Sequence, residues 1–200
     1  MSTKALIIIG LGTFVLLNAS LMGLYIVSGA AGPQTGAEVL PVISALPEFS
    51  LTSDKGTPLG NADMAGKVWI ADFIFTSCAG PCPVMTRSMA GVAKKLELYP
   101  EVEFVSVSVD PETDTPEVLA RYGEKFGANP DRWHFLTGSI DAIQQLAVKG
   151  FMIGAVDDPV IHSTKFCLVD RKGQIRGYYT GTDEAETDQL IAAVHRLLEE

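Results

Sequence analysis

The chain has 200 residues, of which 47% are hydrophobic and 20% are charged, and its formal net charge is −9. This composition indicates a globular protein, and the length suits one domain with a short extension. The acidic charge argues against a nucleic-acid partner, because binding phosphate needs a basic face. Three cysteines are too few for a disulfide-rich scaffold.

Residues 1–31 are predicted to form an N-terminal transmembrane helix. Residues 5–32 contain no charged side chain, and a helix needs only about 20 apolar residues to cross a bilayer. The small residues of "SGAAG" also allow a cleaved signal peptide, although the apolar region of such a peptide usually has only about 7 to 15 residues. Lys4 favours a cytoplasmic N-terminus. We therefore expect a single-pass protein of a bacterial plasma (inner) membrane whose domain faces the periplasm or the cell exterior.

Residues 32–45 are predicted to be a linker and residues 46–200 a domain. The linker sequence has two prolines and no clear period. At the start of the domain, two short extended pieces around Asp54-Lys55-Gly56 predict a hairpin. Residues 67–75, "KVWIADFIF", are almost wholly apolar, which is typical of a strand covered on both faces.

The rest of the domain alternates between predicted strands and helices. Helices are expected from Pro83 as first residue, over 115–127 with Thr115 as N-cap, over 139–150 between Ser139 and Gly150, and over the last 18 residues. Strands are expected over 102–110 and 133–138, and a hairpin is expected over 164–180. This order predicts an α/β fold, with a central mixed sheet and helices on both faces.

The segment "TSCAGPCPV" places Cys78 and Cys82 between the buried strand and the next helix. Open α/β sheets gather ligand sites at such positions. The helix N-terminus favours an anion, so we expect a lowered pKa for Cys82. A thiolate both attacks disulfides and binds metals, and this placement therefore leaves both chemistries open.

Asp72 lies inside the apolar strand, six residues before Cys78. We expect it to be buried, and burial raises the pKa of a carboxyl. This arrangement resembles thioredoxins, in which a buried aspartate on a strand precedes a Cys-Gly-Pro-Cys loop and assists proton transfer to the buried thiol. The resemblance implies that Asp72 is a proton acceptor. The alternative is a structural acid that is hydrogen-bonded to a neighbour.

Three segments, "FIFTSCAGPCPVM", "VSVDPETDTPEVLARY" and "VIHSTKFCLVDRKGQIRGYYTG", resemble the Sco/SenC family over residues 46–200. Members of this family are membrane-anchored, thioredoxin-like proteins that deliver copper to the binuclear copper site of cytochrome c oxidase, or reduce the cysteines that receive it. The resemblance implies one copper per domain, bound by Cys78, Cys82 and His162. It also implies two partners, the copper-bearing subunit of the oxidase and another copper carrier as donor.

The residue types are consistent with copper. Soft thiolates select Cu(I), and an imidazole also accommodates Cu(II). Two sulfurs and one nitrogen leave an open position, as a site that passes on its metal requires. By contrast, His134, His195 and Cys167 are interpreted as bystanders, with Cys167 as a small buried hydrophobe. Met85 and Met89 are expected to pack in the core.

Other functions remain open at this point. Ser77 stands where many relatives have His or Asn, and Gly-Pro before Cys82 favours thioredoxin-like redox chemistry. A thiol-disulfide oxidoreductase would need only Cys78 and Cys82. Peroxide reduction is disfavoured because Thr76 lies two residues before Cys78 rather than three, and a purely structural disulfide is the simplest alternative. The protein is thus interpreted primarily as a carrier, with thiol-disulfide reductase activity undecided.

Overall fold

The computed structural model describes residues 39–154 and 163–200. The predicted anchor, residues 1–31, and His162 lie outside the described residues. Within the described ranges, no helix is both long and apolar enough to cross a membrane. Val39–Glu200 forms one compact unit, so residues 39–45, at the end of the predicted linker, belong to it.

The strands of the described residues form one mixed sheet. They are β1 (Ser44–Ala45), β2 (Ser50–Ser53), β3 (Pro58–Gly60), β4 (Val68–Ile74), β5 (Val102–Ser108), β6 (Trp133–Thr137), β7 (Lys165–Val169) and β8 (Gln174–Thr180), in the order β1-β8-β7-β4-β5-β6-β2-β3. Only the pairs β4/β5 and β5/β6 are parallel. The hairpins β2/β3 and β7/β8 are confirmed.

The helices lie between the strands and at the end of the chain. They are α1 (Asn61–Met64), α2 (Cys82–Lys95), α3 (Pro116–Lys125), α4 (Ile140–Gln144) and α5 (Glu184–Glu199), and α4 continues as a π-helical turn over Gln145–Gly150. Thr115 caps α3 and Ser139 caps α4, as predicted.

The hydrophobic core has one layer on each face of the sheet. On the first face, Ile70 and Ile74 of β4 pack with α2, α3 and α5. On the second face, Trp69 and Phe73 pack with α1, α4 and the π-helical turn. This arrangement buries all seven residues of β4 and confirms the α/β fold with helices on both faces of the sheet. By its position in the strand, Asp72 shares the first face with Ile70 and Ile74.

One predicted helix start is displaced by a residue: Cys82, not Pro83, is the first residue of α2. Gly150 ends its helix, as predicted, since the π-helical turn covers Gln145–Gly150. The left-handed position beyond it is taken by Met152, with φ 53°. Gly150 also serves packing, since a Cβ there would lie 3.2 Å from Leu146 Cδ1.

The first described residues are held at the edge of the sheet. β1 pairs with β8, and the buried Arg176 donates hydrogen bonds to the carbonyl oxygens of Leu40 and Pro41. Its guanidinium also forms ion pairs with Asp170 and Glu200, each at 2.9 Å. One side chain therefore joins both ends of the folded unit.

Candidate metal and thiol site

The cysteine loop, residues 75–81, connects the carboxyl end of β4 to the start of α2. The Cys78 N–H donates to the Phe75 carbonyl at 3.2 Å, which closes a turn at the base of the loop. The Gly80 N–H donates to Cys78 Sγ at 3.3 Å. Pro81 is the N-cap, and its carbonyl accepts from the N–H of Met85 at 2.9 Å. The loop is therefore ordered by its own backbone around the Cys78 sulfur.

Cys78 is the accessible member of the cysteine pair. It is a free thiol and is partly exposed. Partial burial works to raise the pKa of Cys78, but hydrogen bonds from the backbone and thiol of Cys82 and from the Gly80 N–H outweigh it and lower that pKa. The sulfur of Cys78 is thus the better nucleophile of the two.

Cys82 does not have the lowered pKa that its helix position predicted. Its side chain is only 5% exposed and packs in the core of the first face. Burial, helped by the nearby Cys78 and Asp72, raises the pKa of the Cys82 thiol to about 12. Cys82 does lie at the helix N-terminus, which lowers the pKa of a thiol. The loss of hydration at the buried sulfur raises that pKa by more. The expectation for Cys82 was wrong, and the lowered pKa belongs to Cys78.

Asp72 is completely buried, as expected from its strand. Burial raises the pKa of this carboxyl to about 7, and Ser106 offsets only part of the shift. Among the described residues, neither carboxylate oxygen has a partner within hydrogen-bond geometry. The carboxyl is also close enough to raise the pKa of Cys82.

The buried hydroxyl groups of Thr86 and Tyr122 form a hydrogen-bonded pair at the backbone of Cys82, and the sequence analysis did not predict it. The Thr86 hydroxyl donates to the Cys82 carbonyl at 2.9 Å. It lies 2.9 Å from the Tyr122 hydroxyl, which must then be the donor to Thr86. Burial raises the pKa of Tyr122 to about 12. The only signal in the sequence is a threonine four residues after Cys82, the spacing of a side chain that bonds back along a helix.

Asp114 is a second residue that the sequence analysis missed. It precedes Thr115, which caps α3 by accepting from the Val118 N–H. Asp114 is fully buried and accepts hydrogen bonds from Thr76 and Ser108. β4 and β5 are parallel, so the loops that follow them meet at one edge of the sheet.

The residues interpreted as bystanders have packing or hydrogen-bond contacts of their own. Cys167 is fully buried with the core of the second face, as predicted. Met85 and Met89 are fully buried in the first core and pack as expected. His134 bonds to Glu103 at 2.9 Å, and the ring of His195 stacks edge-on against Tyr99.

The described residues supply two soft donors for a metal, Cys78 and Cys82. No group of three or more His, Cys, Asp or Glu side chains within residues 39–154 and 163–200 could hold a metal ion. His162, the third ligand that the resemblance implies, lies outside those ranges. Two thiols fit a soft metal, and they equally fit a reversible disulfide.

Comparisons with known proteins agree on one family. The SCO1/SenC family model matches residues 42–199. The SCO1 protein homolog of Bacillus subtilis is 36% identical over 152 residues, which cover 73% of this chain and 79% of that protein.

Solved structures give the same result. BsSco, in which a disulfide switch was identified, is a member of the Sco family of cytochrome c oxidase assembly proteins. It is 33% identical to this chain with a TM-score of 0.70, and the match covers 79% of this chain and 96% of BsSco. ScoI of Arabidopsis thaliana with copper bound is 26% identical with a TM-score of 0.65, over 76% of this chain and 99% of that one. The chain described here belongs to the SCO1/SenC family.

Proposed function

We propose that this protein is a copper-binding carrier in the assembly of cytochrome c oxidase. In this proposal it delivers copper to the binuclear copper site of the oxidase, or reduces the cysteines of that site before they are loaded. The observation that carries the proposal is the pair of free thiols at the strand-to-helix junction, with Cys78 partly exposed and Cys82 buried. The copper bound to Arabidopsis ScoI and the role of BsSco in oxidase assembly support it.

Copper is the cargo, and Cys78, Cys82 and His162 are its proposed ligands. Thiolates favour Cu(I), and the imidazole of His162 would extend binding to Cu(II). Because α2 and the cysteine loop already order the two sulfurs, little loop entropy is lost when the metal binds. The accessible sulfur of Cys78 is the ligand that a partner can approach.

The second candidate function, thiol-disulfide exchange, is favoured by the unequal pKa values of the two cysteines. The Cys78 thiolate attacks one sulfur of a client disulfide, forms a mixed disulfide and releases a client thiolate. Cys82 then gives its proton to the Asp72 carboxylate and attacks Cys78, which releases the second client thiolate. Two electrons pass to the client, and Cys78 and Cys82 form a disulfide. A thiol reductant must then reduce this disulfide to return the two thiols.

The proposed setting is the outer face of a bacterial plasma membrane. Residues 1–31 would anchor the protein, with the domain in the periplasm or outside the cell. The partners would be the copper-bearing subunit of the oxidase and a copper donor.

Copper titration of the reduced chain tests this function. We expect one copper per chain, with an absorption band from thiolate-to-copper charge transfer. His162→Ala should lose Cu(II) binding. His195→Ala is the matched control, because the ring of His195 packs against Tyr99. Cys78→Ser and Cys82→Ser should lose copper, with Cys167→Ala as their control.

Each result assigns the function. If His162→Ala binds Cu(II) as tightly as the parent, the proposed ligand set is wrong. If the parent binds copper no better than Cys78→Ser but still reduces a protein disulfide, thiol exchange replaces copper delivery as the function.

A further inference from the structure

We propose that Asp114 is a positioning residue for the two cysteines. Its buried carboxylate holds Thr76, at the base of the cysteine loop, against the end of β5. This contact fixes the separation and orientation of the Cys78 and Cys82 sulfurs. The copper readout of this inference rests on the proposed function, whereas its disulfide readout does not.

The contacts of Asp114 come from the cysteine loop and from the end of β5. Oδ2 accepts from the Thr76 N–H at 3.0 Å, and Oδ1 accepts from the Thr76 hydroxyl at 2.5 Å. Oδ2 also accepts from the Ser108 hydroxyl at 2.6 Å. Thr76 and Asp114 are 38 residues apart in the chain, so the cysteine loop is fastened by a residue outside it.

The carboxylate satisfies groups that would otherwise lack partners. Asp114 has no exposed surface, and none of the ion pairs found among the described residues involves it. The groups that donate to it within the described residues are neutral. A buried carboxylate with three donors and no cation is a geometric support rather than part of a charge network.

The helix that follows Asp114 does not need its side chain. The Thr115 hydroxyl already accepts from the Val118 N–H at the start of α3. The contact with Thr76 is therefore the distinguishing role of this carboxylate. Thr76 precedes Cys78 by two residues, and the turn between Phe75 and Cys78 begins beside it.

The mechanism is preorganisation. Without Asp114, the Thr76 N–H loses its acceptor and the loop base can sample more conformations. The two sulfurs then meet less often, which makes both disulfide formation and copper binding less favourable. Changing a residue that orients metal ligands typically costs about 10- to 100-fold in metal affinity.

Three variants of the full chain and one control test this role. Asp114→Ala removes all three contacts. Asp114→Asn can keep them, because its oxygen accepts from the Thr76 N–H and the Ser108 hydroxyl while its amide donates to the Thr76 hydroxyl. Thr76→Val removes only the hydroxyl contact. Asp110→Asn is the control, since it removes a charge from the same loop.

Two equilibria are measured: the Cys78–Cys82 disulfide against glutathione, and Cu(I) against a chelator. We expect Asp114→Ala to shift both by about tenfold, toward the dithiol and toward free copper. Thr76→Val should show a smaller shift in the same direction, and Asp114→Asn and Asp110→Asn should stay within about twofold of the parent.

Other outcomes overturn the inference. It is wrong if Asp114→Ala folds and keeps the parent disulfide equilibrium, or if Asp114→Asn shifts that equilibrium as far as Asp114→Ala. If Asp114→Ala does not fold, Thr76→Val decides, and an unchanged disulfide equilibrium in this variant rejects the role. If the parent itself binds no copper, the proposed function fails, but the glutathione equilibrium still tests the positioning.

Discussion

Asp72 of β4 and Ser106 of β5 face each other across the parallel strand pair, but neither carboxylate oxygen of Asp72 accepts a hydrogen bond from Ser106. The Ser106 hydroxyl accepts instead from the indole N–H of Trp133 at 3.0 Å. The carboxyl of Asp72 lies on a strand that is completely buried. Its environment favours the neutral form.

The stability of the protein should fall between about pH 4 and pH 7 because of Asp72. The pKa of this carboxyl is about 7 in the folded chain and 3.8 in the unfolded reference. In that window the folded state keeps the proton and the unfolded state has lost it, so the free energy of unfolding decreases as the pH rises and levels off above pH 7. Asp72→Asn should be more stable than the parent at pH 8, by on the order of 4 kcal/mol.

Urea denaturation at pH 5 and pH 8 measures this difference. Glu112→Gln, in an exposed loop, is the control for loss of one acidic charge, and it should follow the parent at both values. An equally steep fall in the Asp72→Asn variant would show that another group is responsible.

The two cysteines should differ strongly in reactivity. Cys78 is partly exposed with a lowered pKa, whereas burial raises the pKa of Cys82 to about 12. Iodoacetamide at pH 7 should therefore modify Cys78 at least about a hundredfold faster than Cys82, because only the thiolate reacts. Peptide mass spectrometry at timed intervals measures both rates. Equal rates, or faster modification of Cys82, would contradict the assignment of Cys78 as the nucleophile.

Removing the hydroxyl of Tyr122 should weaken the support of Cys82. Tyr122→Phe keeps the ring but loses the buried hydrogen bond to Thr86, which should lower the free energy of unfolding by about 1 kcal/mol. Tyr99→Phe is the matched control, since the Tyr99 ring packs on His195 and no hydrogen bond of its hydroxyl is found among the described residues. The prediction fails if both variants have the same stability in urea.

Backbone strain at Met152 should be removable. This residue has φ 53° and its side chain is 51% exposed, so glycine relieves the left-handed conformation and loses little burial. Met152→Gly should raise the free energy of unfolding by about 0.5 to 1 kcal/mol. Gly173→Ala is the opposite test: with φ 72° and open space around the new Cβ, it should destabilise by about 1 kcal/mol. Thermal unfolding of both variants measures the two signs.

Sequence patterns predicted those parts of the fold that depend on neighbouring residues. The apolar run containing Asp72 indicated a strand buried on both faces, and Thr115 and Ser139 marked helix starts. Asp114 and Tyr122 could not be placed in the same way, because their partners Thr76 and Thr86 are 38 and 36 residues away.

The pKa of Cys82 was misjudged for a related reason. Helix position can be read from the chain, but the depth of the sulfur depends on how α2 packs on the sheet. The close packing around Gly150 could not be predicted from the sequence either. A Cβ there would meet Leu46 and Pro47, which come from a segment about a hundred residues earlier.

The attachment of Arg176 to the Leu40 and Pro41 carbonyls has a consequence for the solubility of shortened chains. β1 covers the outer edge of β8, and Arg176 keeps it there. A fragment beginning at residue 46, where the domain was predicted to start, would lack this cover and present β8 as an open edge on which another copy could add a strand. The seven residues 39–45 therefore protect the sheet from edge-to-edge aggregation.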